Sequence, residues 1–122
     1  MTAEALLFFQ DHPERIPLYA AFDEALERRL GPQAPRIQKT QITYVNPRVF
    51  ACVSLPRKKG EKGFLLSLGL GYRLVSPRVS VATEPYPGRW TCHIPIHDFK
   101  ELDDELMGWI VQAYQFALAK KR

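Results

Sequence analysis

Phe64-Leu65-Leu66-Ser67-Leu68-Gly69-Leu70-Gly71-Tyr72 decides the fold. Its apolar residues at 64, 66, 68, 70 and 72 come every second place, the period of an extended chain with one buried side. Ser67, Gly69 and Gly71 lie between them and are too small to build a second packed face. The same alternation runs through Val49, Ala51, Val53 and Leu55 upstream. Downstream it runs through Val79 and Val81, then Trp90, Cys92, Ile94 and Ile96. These rows are expected to face a core. The opposite phase holds Ser54, Ser67, Gly69, Gly71, Ser80, Ala82 and Thr91, punctuated by Arg48, Arg73, Arg78, Arg89 and His93.

Working outward, residues 36–45 read as a first strand. Ile37, Lys39, Gln41 and Thr43 take one side, and Arg36, Gln38, Thr40, Ile42 and Tyr44 the other, a mixed pattern that does not select a register. Asn46-Pro47 and the stretch Arg57-Lys58-Lys59-Gly60-Glu61-Lys62-Gly63 carry turn residues and read as hairpin connections, so consecutive strands pair antiparallel. Before the sheet, Pro13 and Pro17 divide the first thirty residues into a short helix near 3–10 and a longer one over 15–30. The longer helix lines up Leu18, Phe22, Ala25, Leu26 and the stem of Arg29, and Gly31-Pro32 stops it.

After the sheet, Asp98 and Glu101 have capping-box spacing, with Asp103, Asp104 and Glu105 near the positive helix end and Lys120, Lys121 and Arg122 near the negative one. Leu102, Leu106, Trp109, Ile110, Ala113, Phe116 and Ala117 form an apolar stripe able to cover a sheet. Gly108 inside it predicts close approach of a neighbouring backbone. The reading is one α+β domain over residues 1–122: helices within about 3–30, an antiparallel sheet of four or five strands over about 36–96, and a helix over about 99–119. The N-terminal and C-terminal helices are expected on one face.

Charge is divided along this order. Ten of the seventeen Lys and Arg but two of the thirteen Asp and Glu lie between residues 36 and 89, so the middle carries +8 and the ends −4. Bases sit among strands and acids among helices, which predicts a sheet with a cationic side open to anions. Lys39, Arg73, Arg78 and Arg89 are the candidate ligands of an anionic small molecule or a phosphate-containing group, with His93 as a further donor. The plainer account is that solvated arginines blunt sheet edges and keep the domain soluble.

Other chemistry finds less footing. The basic loop 57–62 with Trp90, Tyr72 or Tyr86 suggests single-stranded nucleic acid, but Trp90 and Tyr72 fall in the apolar phase. His93 and His97, separated by Ile94, Pro95 and Ile96, do not have the spacing of a metal-binding pair, and His97 belongs to the approach to the helix cap. No serine stands in a glycine-flanked elbow, so no catalytic residue, metal or cofactor is expected. Glu84 is expected to pair with Arg78 or Arg89. Cys52 and Cys92 read as reduced thiols packed in strands. With no apolar run near the roughly 20 residues of a membrane span and no leader pattern, the expected location is the cytoplasm. A homodimer or protein-interaction module, pairing through an edge strand or through Tyr86 and Phe99, is the alternative role.

The run Ile37-Gln38-Lys39-Thr40-Gln41-Ile42, Ser76-Pro77-Arg78, the turn Glu84-Pro85-Tyr86-Pro87-Gly88-Arg89-Trp90, and the closing Glu101-Leu102-Asp103, Trp109 and Ala113-Tyr114 together resemble the bacterial domain-of-unknown-function 5655 family. The resemblance runs from Phe8-Phe9 to Tyr114. It implies a small α+β domain without an established activity, and nuclease-like segments joined to some relatives imply an anionic or nucleic-acid partner. Lys39 and Thr40 match the family's Lys-Thr pair, which adds Thr40 to the candidate site, and Arg78, Arg89 and His93 fall where its later strands meet.

Overall fold

A computed structural model describes residues 2–119. Helix α1 (Ala3–Phe8) is followed by a 3-10 turn (Pro13–Arg15) and helix α2 (Ile16–Leu30). Strands β1 (Arg36–Ile37), β2 (Ile42–Val45), β3 (Val49–Ser54), β4 (Phe64–Leu70), β5 (Val81–Tyr86) and β6 (Arg89–Ile96) come next. A second 3-10 turn (Phe99–Glu101) leads into helix α3 (Asp104–Ala119).

Both early helices have local causes. Thr2 accepts the Ala5 N–H through its hydroxyl at 3.2 Å, and Pro17 sits in the first turn of α2, where it removes no internal hydrogen bond. At the other end Gly31, with φ +84°, closes α2 by donating to the Glu27 carbonyl at 2.7 Å. Leu18, Tyr19, Phe22 and Leu26 are buried along α2. Tyr19 belongs to that stripe although the sequence pattern omitted it.

All strand pairs are antiparallel, in the spatial order β1-β2-β3-β4-β6-β5. Six strands stand where four or five were expected, because residues 38–41 are a turn and not strand interior. Gln38 N–H donates to the Gln41 carbonyl at 2.9 Å, and Ile37 comes to lie opposite Ile42. The turn resets the side-chain phase, which is why alternation counted through it put Ile37 and Ile42 on different sides.

One face of the sheet is the core. Ile42, Val53, Leu66 and Ile94 form one buried cross-strand row, and Tyr44, Ala51, Leu68 and Cys92 the next. Phe22 of α2 sits edge-on to Phe64 at 5.3 Å between ring centres, and α3 brings Tyr114 to Phe50 at 5.2 Å. Each fully buried side chain of this size contributes roughly 1.5–3 kcal/mol of transfer free energy. Three expected core residues are not in it: Tyr72 falls beyond the end of β4 and is 45% exposed, its hydroxyl donating to Gln112 Oε1, and the other two are strand residues. Val49 is exposed, because a bulge opposite Tyr44 and Val45 turns Phe50 and Ala51 both toward the helices. Val81 is 51% exposed on the other face opposite His93, and the inward residue of β5 is Ala82, opposite Cys92. Val79 lies in a turn closed by its N–H to the Ser76 carbonyl, so Val79 and Val81 never formed a strand row.

One polar chain is built into the core. The Tyr44 hydroxyl donates to Asp23 Oδ1 at 2.7 Å and lies 2.8 Å from the Tyr19 hydroxyl. Burial pushes Tyr19 up to about 12 and Tyr44 further, so both remain donors. Burial also raises the Asp23 carboxyl, against the Tyr44 hydrogen bond.

The capping box holds, but on the 3-10 turn: Asp98 accepts the Lys100 N–H, and Glu101 reaches back to the Asp98 N–H at 2.9 Å. Asp103 then starts α3 by accepting the Leu106 N–H at 3.0 Å. Lys120, Lys121 and Arg122, expected at the negative helix end, lie outside the described residues. Gly108 does not meet a neighbouring backbone, since a Cβ built there finds nothing within 4 Å. Gly108→Ala is therefore expected to raise the unfolding free energy by about 0.5–1 kcal/mol, measured by urea denaturation; a loss of stability would show a contact that this packing lacks.

Candidate functional site

The second face of the sheet is set by the same ladders. Its central row reads Thr43, Cys52, Ser67, His93 and Val81 across β2, β3, β4, β6 and β5, with Ser54 and Leu65 beside it. The helices α2 and α3 lie on the opposite side and do not cover this row. Thr43 is buried, its hydroxyl donating to Gln38 Oε1 at 2.9 Å.

A cleft of about 690 Å³ opens over this row. Ser54, Leu65, Ser67, Val81 and His93 form its floor and wall, the 38–41 turn brings Lys39, Thr40 and Gln41, and Arg57 enters from the connection after β3. Among the described residues lining it none is Asp or Glu. Among the described residues neither Lys39 nor Arg57 has a carboxylate within ion-pair distance. Ser67 Oγ and His93 Nδ1 share a hydrogen bond of 2.7 Å. Burial, and then the nearby charge of Arg57, hold the His93 imidazole below its ordinary value of 6.5. The cleft is thus cationic through Lys39 and Arg57, with a neutral imidazole and several hydroxyls as further hydrogen-bonding groups at neutral pH.

The six candidate residues do not all meet. Lys39, Thr40 and His93 line this cleft together, whereas Arg73, Arg78 and Arg89 stand elsewhere. Arg78 Nη1 donates to Asp103 at 2.9 and 3.1 Å and to Glu105 at 3.2 Å, and Nη2 donates to the Glu101 carbonyl at 2.6 Å. Its guanidinium also covers the Trp109 ring at 5.6 Å, which makes it a clasp between the 71–80 connection and α3. Arg73 lies 6.0 Å from the Trp90 ring centre. Arg89 folds down on the sheet, donating to Thr91 Oγ1 at 2.8 Å and lying across Gly69, where an added Cβ would come within 2.6 Å of Nη2. Beyond that it lines a separate hollow with Arg36, Arg48 and Tyr86.

Glu84, expected to pair with an arginine, instead accepts the Gly88 N–H at 3.1 Å and closes its own turn. His97 does join the cap, its N–H donating to Glu101 Oε1 at 2.6 Å, and its ring meets Glu61 at 2.8 Å. Both cysteines are free thiols, and burial raises Cys52 against the Thr43 hydrogen bond and the charge of Arg89. Among the described residues no cluster of three or more His, Cys, Asp or Glu is arranged to hold a metal ion, and no helix is long and apolar enough to cross a membrane.

The cleft residues missed from sequence are Arg57, Ser67 and Ser80. Ser67 and Ser80 carry the right phase but no sign of a partner, and Arg57 reads as one more base of a hairpin tip. Residues 8–117 match the sequence profile of a family described as Domain of unknown function (DUF5655). The chain belongs to that family. Lys39 and Thr40 of this DUF5655 member line the cleft. No curated protein and no solved structure matches the chain.

Two outcomes follow from this geometry. Because the folded state disfavours the imidazolium of His93, the unfolded chain takes up that proton first, and stability falls as pH drops below about 6.5. His93→Gln should flatten that part of a stability–pH curve, and an NMR titration should give a His93 midpoint under 6.5. In contrast, Arg78→Ala should cost roughly 1–2 kcal/mol in unfolding free energy by releasing a partly buried clasp, with no change at the His93 ring.

Proposed function

We propose that this domain binds an anionic small molecule in the cleft formed by Lys39, Thr40, Arg57, Ser67 and His93. One observation carries this reading: among the described residues two cations line a single concavity, and the others lining it are neutral or apolar. Exposed lysines and arginines are ordinary on a basic protein. Here, however, the acidic helices have drawn Arg29 and Arg78 into ion pairs at 2.5 and 2.9 Å, while Lys39 and Arg57 stay unneutralised at the hollow. Hydroxyl and imidazole groups beside them supply directional donors, as anion recognition requires.

Inorganic phosphate, compared with chloride at equal ionic strength, is the direct probe. At a hundred times its Kd it should stabilise the domain by about 2.7 kcal/mol, seen as a rise in Tm. Lys39→Ala and Arg57→Ala should each remove most of the rise while leaving the unliganded Tm near its starting value. Binding should also move the His93 midpoint upward, because the anion offsets the Arg57 charge that opposes protonation. An unchanged Tm and an unmoved His93 signal would end this reading.

The β5 edge favours a second reading, pairing with another copy of the chain. Val81 and Tyr86 are 51% and 50% exposed there, beside backbone that faces no further strand. Light scattering that gives a monomer at every concentration would remove it.

A further inference from the structure

We infer that the ligand of this cleft is a phosphomonoester bearing a compact apolar or aromatic group, a conclusion that rests on the anion-binding reading above. Two features narrow the class. The first is charge: Lys39 and Arg57 are the cations lining the cleft, and with no acid among its lining residues the site balances a dianion. A phosphomonoester carries about −1.5 to −2 at neutral pH and presents three terminal oxygens, whereas a carboxylate carries one charge and two oxygens. Thr40 and the Ser67–His93 pair supply hydrogen-bonding groups beyond the two cations, which suits three terminal oxygens, while the Ser80 hydroxyl is held by the His93 carbonyl at 3.2 Å.

The second feature is the rest of the lining. Phe8, Leu55, Leu65 and Val81 are apolar and belong to four different parts of the chain, namely α1, the residue after β3, β4 and β5. Leu65 stands on β4 two residues before Ser67, and Val81 is the direct cross-strand neighbour of His93, so apolar surface adjoins the polar pair on two sides. A volume of about 690 Å³ falls in the range of sites that enclose small organic ligands, which bury most of their surface against such walls. Inorganic phosphate would leave those walls in water. A ring or short chain esterified to the phosphate would cover them.

Isothermal titration calorimetry with inorganic phosphate, phenyl phosphate and benzoate tests this on the whole chain. Phenyl phosphate is expected to bind at least tenfold tighter than either of the others. Val81→Ser, a change at an exposed edge position, should weaken phenyl phosphate several-fold and leave inorganic phosphate unaffected, and Lys39→Ala should weaken both phosphates. Equal affinity for the two phosphates would overturn the apolar-group assignment while the anion-binding reading stands. Benzoate binding as tightly as phenyl phosphate would overturn the dianion assignment. Absence of binding by all three would overturn the inference together with the reading beneath it.

Discussion

The antiparallel ladder between β4 and β6 is the constraint from which the rest of the domain follows. Seven residue pairs, from Phe64 opposite Ile96 to Leu70 opposite Trp90, put Leu66, Leu68, Cys92 and Ile94 on one side and Ser67, Gly69, Thr91 and His93 on the other. A slip of one residue in either strand would send Ser67 or His93 into the core and an equal number of apolar side chains into water. Burying an unpartnered hydroxyl or imidazole costs roughly 1–3 kcal/mol by mutational measures, and each expelled Leu or Ile forfeits a comparable amount. Register is therefore held by both faces at once. The contact between Ser67 and His93 is a by-product of the same lock.

Helix placement then decides which cations remain available. The aromatic set of Tyr19, Phe22, Tyr44, Phe50, Phe64 and Tyr114 fastens α2 and α3 to the apolar side. The acidic first turn of α3, with Asp103 before it, comes along. Asp103 and Glu105 meet Arg78, so part of the central positive charge is neutralised where helix and loop touch. Lys39 and Arg57 belong to connections that reach over the opposite side, beyond those carboxylates. The cationic character of the cleft is thus a remainder left after packing.

Arg89 and Gly69 show how closely that second face is organised. With no Cβ at 69, the guanidinium of Arg89 can lie flat on the strand and bond Thr91. An arginine that alternation places on the open side is in this way laid along the sheet over Gly69 and Thr91, with its charge felt at Cys52. Small residues on a sheet face do make room for something to lie there. At this position the chain's own side chain takes the room.

Alternation in 64–70 and 90–96, the Gly-Pro stop at 31–32 and the Asp98–Glu101 cap are local properties, readable because strand period, backbone dihedrals and cap hydrogen bonds involve residues near in sequence. They determined the α+β class, the antiparallel sheet and the side of the sheet on which His93 stands. The split of 36–45 into two strands escaped because a turn built from Gln, Lys and Thr lacks the Gly, Pro or Asn that marks most turns. Which guanidinium finds a carboxylate depends on distances between segments 25 residues apart or more, as with Arg78 and Asp103. No period or composition encodes such distances, so tertiary structure alone brought Arg57 and Lys39 to one cleft and sent Arg78 to the helix.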